Sequence, residues 1–555
     1  MAAETYTVSD YLIDRLQHIG IEHAFGVPGD YNLDFMDRVM TSSLHWVGNC
    51  NELNAGYAAD GYARMRGAGV AFVTYAVGGY SILNAVAGAY AENVPLIVVS
   101  GAPAMARRNA NALVHHVANR HDTQLEIFRK LTVDSALLTD ADSAPAMIDR
   151  VLASCVALKR PVYLELPMDV AKAPCARPPA TPPSVAARAS DPKALEACVA
   201  EVAARLDAAK NPVVLVGTEI SRFRLGAQAL QLIERIELPF AVTVSAKGSM
   251  PEMHPQCLGV YQGGLSHPAV QKQVEEADLL LELGGWRTDW DTGLFTAAID
   301  PQRNVRANLG EVQVAYSAYD RVQLEDFLRL LAERAKARDY RQSHPARPSA
   351  RAAPPAVDRA RALGAEHLYR RIEHFLDDSM VLVADVGDIL CAVAEMHIDE
   401  PDNFVMQGYY MSIGYATPAG LGVSMARPDK RAVILAGDGA FQMTAQEIST
   451  LVRNRCNTIV VLLNNDGYLI ERYLHEDGAY NDVQPWRYAD LPKAFGGDVA
   501  TFRATTEGEL DEALAAARAT SGRPVFIEAI VGRDPSAALK RMGETYQKNY
   551  KKPAP

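Results

Sequence analysis

Short runs of β-branched and aliphatic residues recur along the chain, each followed by a longer stretch of helical period, and this alternation excludes most architectures. Among these runs are "GVAFVTYAV" and "PLIVVSG" in the first third and "PVVLVG", "FAVTVS" and "ADLLLELGG" in the middle. The last third carries "MVLVADVG", "RAVILAGDG" and "NTIVVLLNND". Runs that stay apolar throughout read as strands covered on both faces, so the pattern predicts parallel sheets with helices on either side. Two segments rich in Pro, Ala, Ser and Arg, Cys175 to Pro192 and Ser343 to Asp358, have no apolar period and read as linkers. The expected fold class is therefore α/β, with three doubly wound parallel-sheet domains over residues 1–180, 192–342 and 358–555 of a 555-residue chain too long for one core.

Composition narrows the function classes. Hydrophobic content of 49% with 22% charged residues is that of a globular protein, and no apolar stretch approaches the ~20 residues that cross a bilayer. The opening "MAAETYTVSDYLIDRL" lacks the basic start and apolar middle of a signal peptide, so a cytoplasmic location is expected. A formal charge of −12 disfavours nucleic acid and anionic membranes as partners and leaves a small molecule. Seven scattered cysteines without a C-x-x-C pair argue against a disulfide framework and a zinc site. The middle third has no G-x-G-x-x-G, so a dinucleotide there has little sequence support.

Doubly wound sheets bind ligands beyond the carboxyl ends of their strands. In "LAGDGAFQM" an apolar run stops at that point, on Asp438 held between Gly437 and Gly439. The glycines permit positive φ and close backbone approach, and "AFQMTAQEISTLV" supplies a helix N-terminus with free N–H groups, a combination that suits a phosphate. Asp438 would repel that phosphate unless a divalent cation lay between them, which points to magnesium. Further oxygens are expected from the next strand end, in "VVLLNNDGYLIERYLH", from the Asn465 side chain and the Gly467 carbonyl. Each half alone is more often a turn. Paired across consecutive strands, they describe a metal-bridged diphosphate.

"GDG" followed after a helix and strand by "NN" resembles the diphosphate-binding motif of thiamine-diphosphate enzymes. Nearly the whole chain resembles the non-oxidative 2-oxo acid decarboxylases among them, the pyruvate, indolepyruvate, phenylpyruvate and branched-chain group. The resemblance implies thiamine diphosphate and Mg2+ as cofactors, the metal held by Asp438, Asn465 and Gly467. It places Met411, Gly437, Gly439, Ala440 and Tyr468 against the cofactor, and Ile413, in "GYYMSIGYATPAGLG", as the wedge between its rings. It assigns Glu52, in "NCNELNAGYAADGYARM", to the aminopyrimidine ring, a role suited to a carboxyl in an apolar pocket, where burial favours the neutral form. Without the resemblance, Glu52 reads as a glutamate that favours a helix start.

By the same resemblance Glu471 assists carboxylate expulsion, Asp30 and His116 relay protons, and His115 orients its neighbour. Trp290, Val386, Leu390, Ile470, Met542 and Tyr546 would surround a 2-oxo acid substrate. Because Glu52 lies in the first third and the metal site in the last, the family places each cofactor between two chains: a homodimer is the minimum active unit and a homotetramer is expected. Ala440, Asp388 and Met411 stand where many relatives have serine, threonine and glycine, so the preferred 2-oxo acid stays open. The alternatives within the superfamily are an acetolactate-synthase-like carboligase and a flavin-dependent 2-oxo acid oxidase. A silent subunit that retains the cofactor site is a third.

Overall fold

The computed structural model describes residues 5–184, 189–337 and 351–550. Parts of the two segments read as linkers, 185–188 and 343–350, lie outside the described residues. The described chain forms three mostly parallel sheets. In the first, the strand order is His45–Gly48, His23–Gly26, Gly69–Val73, Leu96–Ala102, Val162–Pro167, Asp134–Leu137; in the last it is Phe404–Met406, Met380–Ala384, Arg431–Gly437, Ile459–Asn464, Val525–Ile530, Ala500–Ala504. All pairings in these two sheets are parallel, and both follow the same sequential order, second, first, third, fourth, sixth, fifth. The first and last sheets are thus wound to one plan, and each offers a switch point beside its first strand.

The middle sheet departs from the expectation of purely parallel strands. Its edge carries Glu311–Val314 and Ser317–Asp320, antiparallel to each other, with Glu311–Val314 also antiparallel to Asn304–Asn308. Leu309 and Gly310, the latter at φ 82°, make the tight turn that reverses the chain.

The helix Glu52–Arg66 begins where the Asn51 side chain accepts the Asn54 N–H at 2.8 Å and ends at Gly67, at φ 99°. Its small residues let the helix Ala416–Ala426 of the last third pack at backbone distance. A Cβ on Gly61 would run into the Ala419 carbonyl, and one on Gly422 into that of Ala58. Ala55, Ala58 and Tyr62 share one buried core with Ala416, Ala419 and Leu421, so the first and last units of a chain are locked together.

Candidate active site

Three adjacent strands of the last sheet, Met380–Ala384, Arg431–Gly437 and Ile459–Asn464, end beside a cavity of about 510 Å3. Asp438 is the first residue of the helix Asp438–Thr444 and is 2% exposed. Its carboxylate accepts the N–H groups of Gly439 at 2.8 Å and Gly467 at 3.0 Å, yet burial still pushes its pKa up to about 6. The end of the Asn465 carboxamide stands 3.0 Å from the Gly467 carbonyl oxygen and 3.1 Å from Asp438 Oδ1. With its nitrogen inward, that amide donates to both. With its oxygen inward, that oxygen stands from each of the other two at close to the spacing of adjacent ligands in a magnesium octahedron, about 2.9 Å for metal–oxygen distances of about 2.0–2.1 Å. A buried carboxylate short of compensation beside two neutral oxygens is a donor set that fits a hard divalent cation.

The glycines act differently from the expectation of positive φ: Gly437 sits at φ −74°, and neither it nor Gly439 is left-handed. Their value is room. A Cβ on Gly437 would meet nothing within 4 Å, whereas one on Gly439 would strike the Tyr468 ring at 2.6 Å. Gly437, Gly439, Ala440 and Tyr468 all border the cavity, as a cradle for a diphosphate requires.

Met411 and Ile413 also reach the cavity, from the loop between the strand Phe404–Met406 and the helix Ala416–Ala426. Met411 at φ 57° and Gly414 at φ 85° give that loop its turn. It is fixed by a residue the sequence did not single out: Asp385, 1% exposed, accepts the N–H groups of Val386, Gly414 and Ala416 at 3.0, 3.2 and 3.1 Å. Burial outweighs these three donors and pushes its carboxyl up to about 6. The stability it contributes is therefore fully present below about 3.9, its value in an unfolded chain, and is lost as the pH rises through about 6. Asp385→Asn removes that dependence and leaves one loop N–H short of an acceptor. In thermal unfolding, the advantage of the parent chain over the variant is expected to be largest near pH 4 and smaller by up to about 3 kcal/mol at pH 8. An advantage that grows with pH would contradict this account.

Trp290, Val386, Leu390, Ile470, Met542 and Tyr546 line the remaining walls, together with Asp388. Trp290 comes from the middle unit, Met542 and Tyr546 from the helix Ala537–Tyr550. Ser536, just before that helix, donates its N–H to Asp388 at 3.2 Å and its hydroxyl to the same carboxylate, which docks the helix over the cavity. Glu471, on the helix Leu469–Leu474, is exposed at the cavity's edge.

Asp30, His115, His116 and Glu52 do not border this cavity; among the described residues, none before Asp289 does. They gather at the carboxyl ends of the first sheet's strands. His115 Nε2 lies 2.6 Å from Asp30 Oδ2, and the His116 ring stands edge-on to that of His115 at 4.7 Å. The direct partner of Asp30 is thus His115, and His116 meets that pair through the His115 ring. The three groups bring their ligating atoms within 4.8 Å of one another. Glu52 leans against Gly78, where an added Cβ would come within 3.1 Å of its Oε1. The turn before it is clamped by Glu447, a second residue the sequence did not mark, which accepts the side-chain amides of Asn49 at 2.8 Å and Asn54 at 2.7 Å.

Two sheets of identical winding, one presenting a cation-fitting oxygen cluster beside an apolar cavity and the other an acid–histidine group, have the form of a cofactor-dependent enzyme. The comparisons say which. The thiamine pyrophosphate enzyme models match along the chain: the N-terminal TPP binding domain at residues 6–127, the central domain at 199–322 and the C-terminal TPP binding domain at 385–529. The chain belongs to that family. It is 37% identical over 533 residues to an alpha-keto-acid decarboxylase of Mycolicibacterium paratuberculosis, covering 95% of this chain and 94% of the relative. It is 36% identical over 544 residues to one of Mycobacterium tuberculosis, covering 95% of each. In fold it matches benzoylformate decarboxylase from Polynucleobacter necessarius, with a TM-score of 0.80 at 20% identity over 96% of this chain and 99% of that one.

Proposed function

We propose that this chain removes carbon dioxide from a 2-oxo acid with an apolar side chain and releases the aldehyde, with thiamine diphosphate and Mg2+ as cofactors. The observation that carries the reading is the convergence of Asp438, Asn465 and Gly467 oxygens at the strand ends beside the cavity. The relatives' name and the Asp30–His115–His116 group favour decarboxylation over carboligation or flavin-dependent oxidation. Thiamine diphosphate, when bound, supplies the electron sink for the bond that breaks. The chain supplies the rest. Asp438, Asn465 and Gly467 would hold the cation and its diphosphate, the Gly437–Ala440 turn would cradle the phosphates, and Tyr468, Met411 and Ile413 would border the rest of the cofactor.

Glu52 would meet the aminopyrimidine ring of the bound cofactor. Glu471 sits at the cavity's edge, placed to assist departure of the substrate carboxylate. The net reaction takes up one proton for each carbon dioxide released, and the Asp30–His115 pair with His116 is suited to deliver it. Val386, Leu390, Ile470 and Tyr546 present apolar surface to the substrate side chain and exclude water. Because the two sets of groups lie apart in one chain, the working unit is a homodimer, assembled further as a homotetramer. Domain limits of 1–180, 192–342 and 358–555 and a cytoplasmic location complete the reading. No described helix is long and apolar enough to cross a membrane.

Aldehyde formation followed by a coupled dehydrogenase tests it. Chelation and removal of cofactor are expected to stop turnover, and magnesium plus thiamine diphosphate to restore it. Comparison of kcat/KM across pyruvate, 2-oxoisovalerate, phenylpyruvate and indolepyruvate ranks the side chains the cavity takes. Turnover that ignores both cofactors would refute the proposal.

A further inference from the structure

The turn that carries two of the three cation-facing oxygens has a backbone that must be held from outside. Asp466 at φ 65° and Gly467 at φ 105° are consecutive left-handed residues between Asn465 and Tyr468. Outside glycine, that conformation is visited by single residues and persists where the surroundings over-determine it. Here Tyr468 donates its N–H to the Asn481 carbonyl at 2.9 Å, and a Cβ on Gly467 would strike the same carbonyl at 2.3 Å. Leu469 donates its N–H to the Gly467 carbonyl at 2.9 Å, which fixes the direction of that oxygen. The Gly467 N–H in turn meets Asp438 Oδ2 at 3.0 Å, so the third oxygen's carboxylate also leans on this turn.

Two arginines bind the turn to its neighbours. Arg533, in the loop after the strand Val525–Ile530, donates Nε to Asp466 Oδ2 at 2.7 Å and reaches Asp482 at 3.2 Å and Asp477 at 3.4 Å. Arg472, next to Glu471 on the helix Leu469–Leu474, donates to Asp482 at 2.7 Å, to the Asp466 carbonyl at 3.4 Å and also to Asp477. Both arginines therefore bridge the same two carboxylates, and the loops at 465–468, 477–482 and 531–533 are stapled together. An isolated exposed ion pair holds little, but this is a network, and the Arg472 side chain is only 7% exposed.

We propose that Arg533 and Arg472 are positioning residues for the cation: they fix the turn at 465–467, keep the Asn465 and Gly467 oxygens close to Asp438, and so make the site favour magnesium over calcium. This inference rests on the thiamine diphosphate reading above. Magnesium demands a near-ideal octahedron with metal–oxygen distances of about 2.0–2.1 Å, whereas calcium accepts irregular shells at about 2.3–2.6 Å. A turn free to spread by a few tenths of an ångström serves the second ion and fails the first. Charge acts differently. Removal of an arginine leaves the site more negative, which favours two divalent cations alike. The ratio of the two affinities therefore separates geometry from charge.

Calorimetric titration of the whole chain, freed of cofactor, with Mg2+ and separately with Ca2+, each at saturating thiamine diphosphate, tests this without turnover. Arg533→Ala is expected to lower the preference for Mg2+ over Ca2+ by about tenfold, the scale on which groups that orient metal ligands act. Arg533→Lys keeps the charge without the planar fork and is expected to recover part of the preference. Arg523→Ala breaks the exposed Arg523–Asp498 pair of the same unit and should leave the preference at the parent value. A purely structural role for Arg533 would lower Tm and leave the preference unchanged. An unchanged preference in folded Arg533→Ala would overturn the proposal, as would an equal shift in Arg523→Ala. If Arg533→Ala fails to fold, an unchanged preference in Asp482→Asn, which weakens an acceptor of both arginines, overturns it equally. A parent chain that binds thiamine diphosphate without any divalent cation removes the cofactor reading itself, a result distinct from cation-dependent binding with an unaltered preference.

Discussion

Asp438→Ala is expected to lower kcat by about a thousandfold and to abolish magnesium-dependent binding of thiamine diphosphate, with the fold intact. Removing one partner of a buried charge pair costs about 3–5 kcal/mol, which is two to three orders of magnitude or more in an equilibrium or rate. Asp438 is the charged member of the oxygen cluster; Asn465 and the Gly467 carbonyl are neutral and leave the cation's charge unbalanced without it. The carboxylate also accepts two N–H groups that fix the turns on either side, so the alanine loosens the cradle as it removes the charge. Asp438→Asn keeps an oxygen and its shape but not the charge, and should fall between the parent and the alanine variant. Steady-state kinetics at saturating cofactor, calorimetric titration of magnesium with thiamine diphosphate, and circular dichroism separate these effects. Turnover within tenfold of the parent in Asp438→Ala would remove the metal cluster from the function.

What could be read beforehand was what is local in the chain. The GDG and NN stretches sit about thirty residues apart on neighbouring parallel strands, so one apolar run after another carries both to the same sheet edge. The strands of the edge hairpin escaped because "NVRAN", "EVQV" and "SAYD" are short and half polar, with no apolar run to mark them. Asp385 follows an apolar run just as Asp438 does, and that position was the available signal. Without a glycine on its near side, it looked like an ordinary end of a strand. Glu447 had no local signal, because its partners Asn49 and Asn54 lie some 400 residues away in sequence. Two neighbouring histidines do not reveal which ring meets Asp30. That depends on backbone geometry, here the turn of His116 at φ 71°.

Two inactive variants, Glu52→Gln and Asp438→Ala, are expected to regain activity when their subunits are combined. The helix that begins at Glu52 is bound to the last unit of its own chain, through the Gly61 and Gly422 contacts and through Glu447. Glu52 cannot swing into its own cavity without breaking that packing, so under the proposed dimer the cavity it serves belongs to a second copy. Apolar side chains stand exposed on both units, Val77 at 51% and Leu113 at 92% on the first and Met443 at 47% on the GDG helix, as a face that a partner covers would have. In a mixed dimer, one site receives an intact Glu52 from one chain and an intact Asp438 from the other, while the second site has neither. Random exchange makes half the dimers mixed, so the combined preparation should show about a quarter of parental activity, and mixed dimers isolated through two different affinity tags about half. If each chain instead completed its own site, tag-purified mixed dimers would be as inactive as the variants that formed them, and the paired-chain site would have to be abandoned while the metal cluster stood.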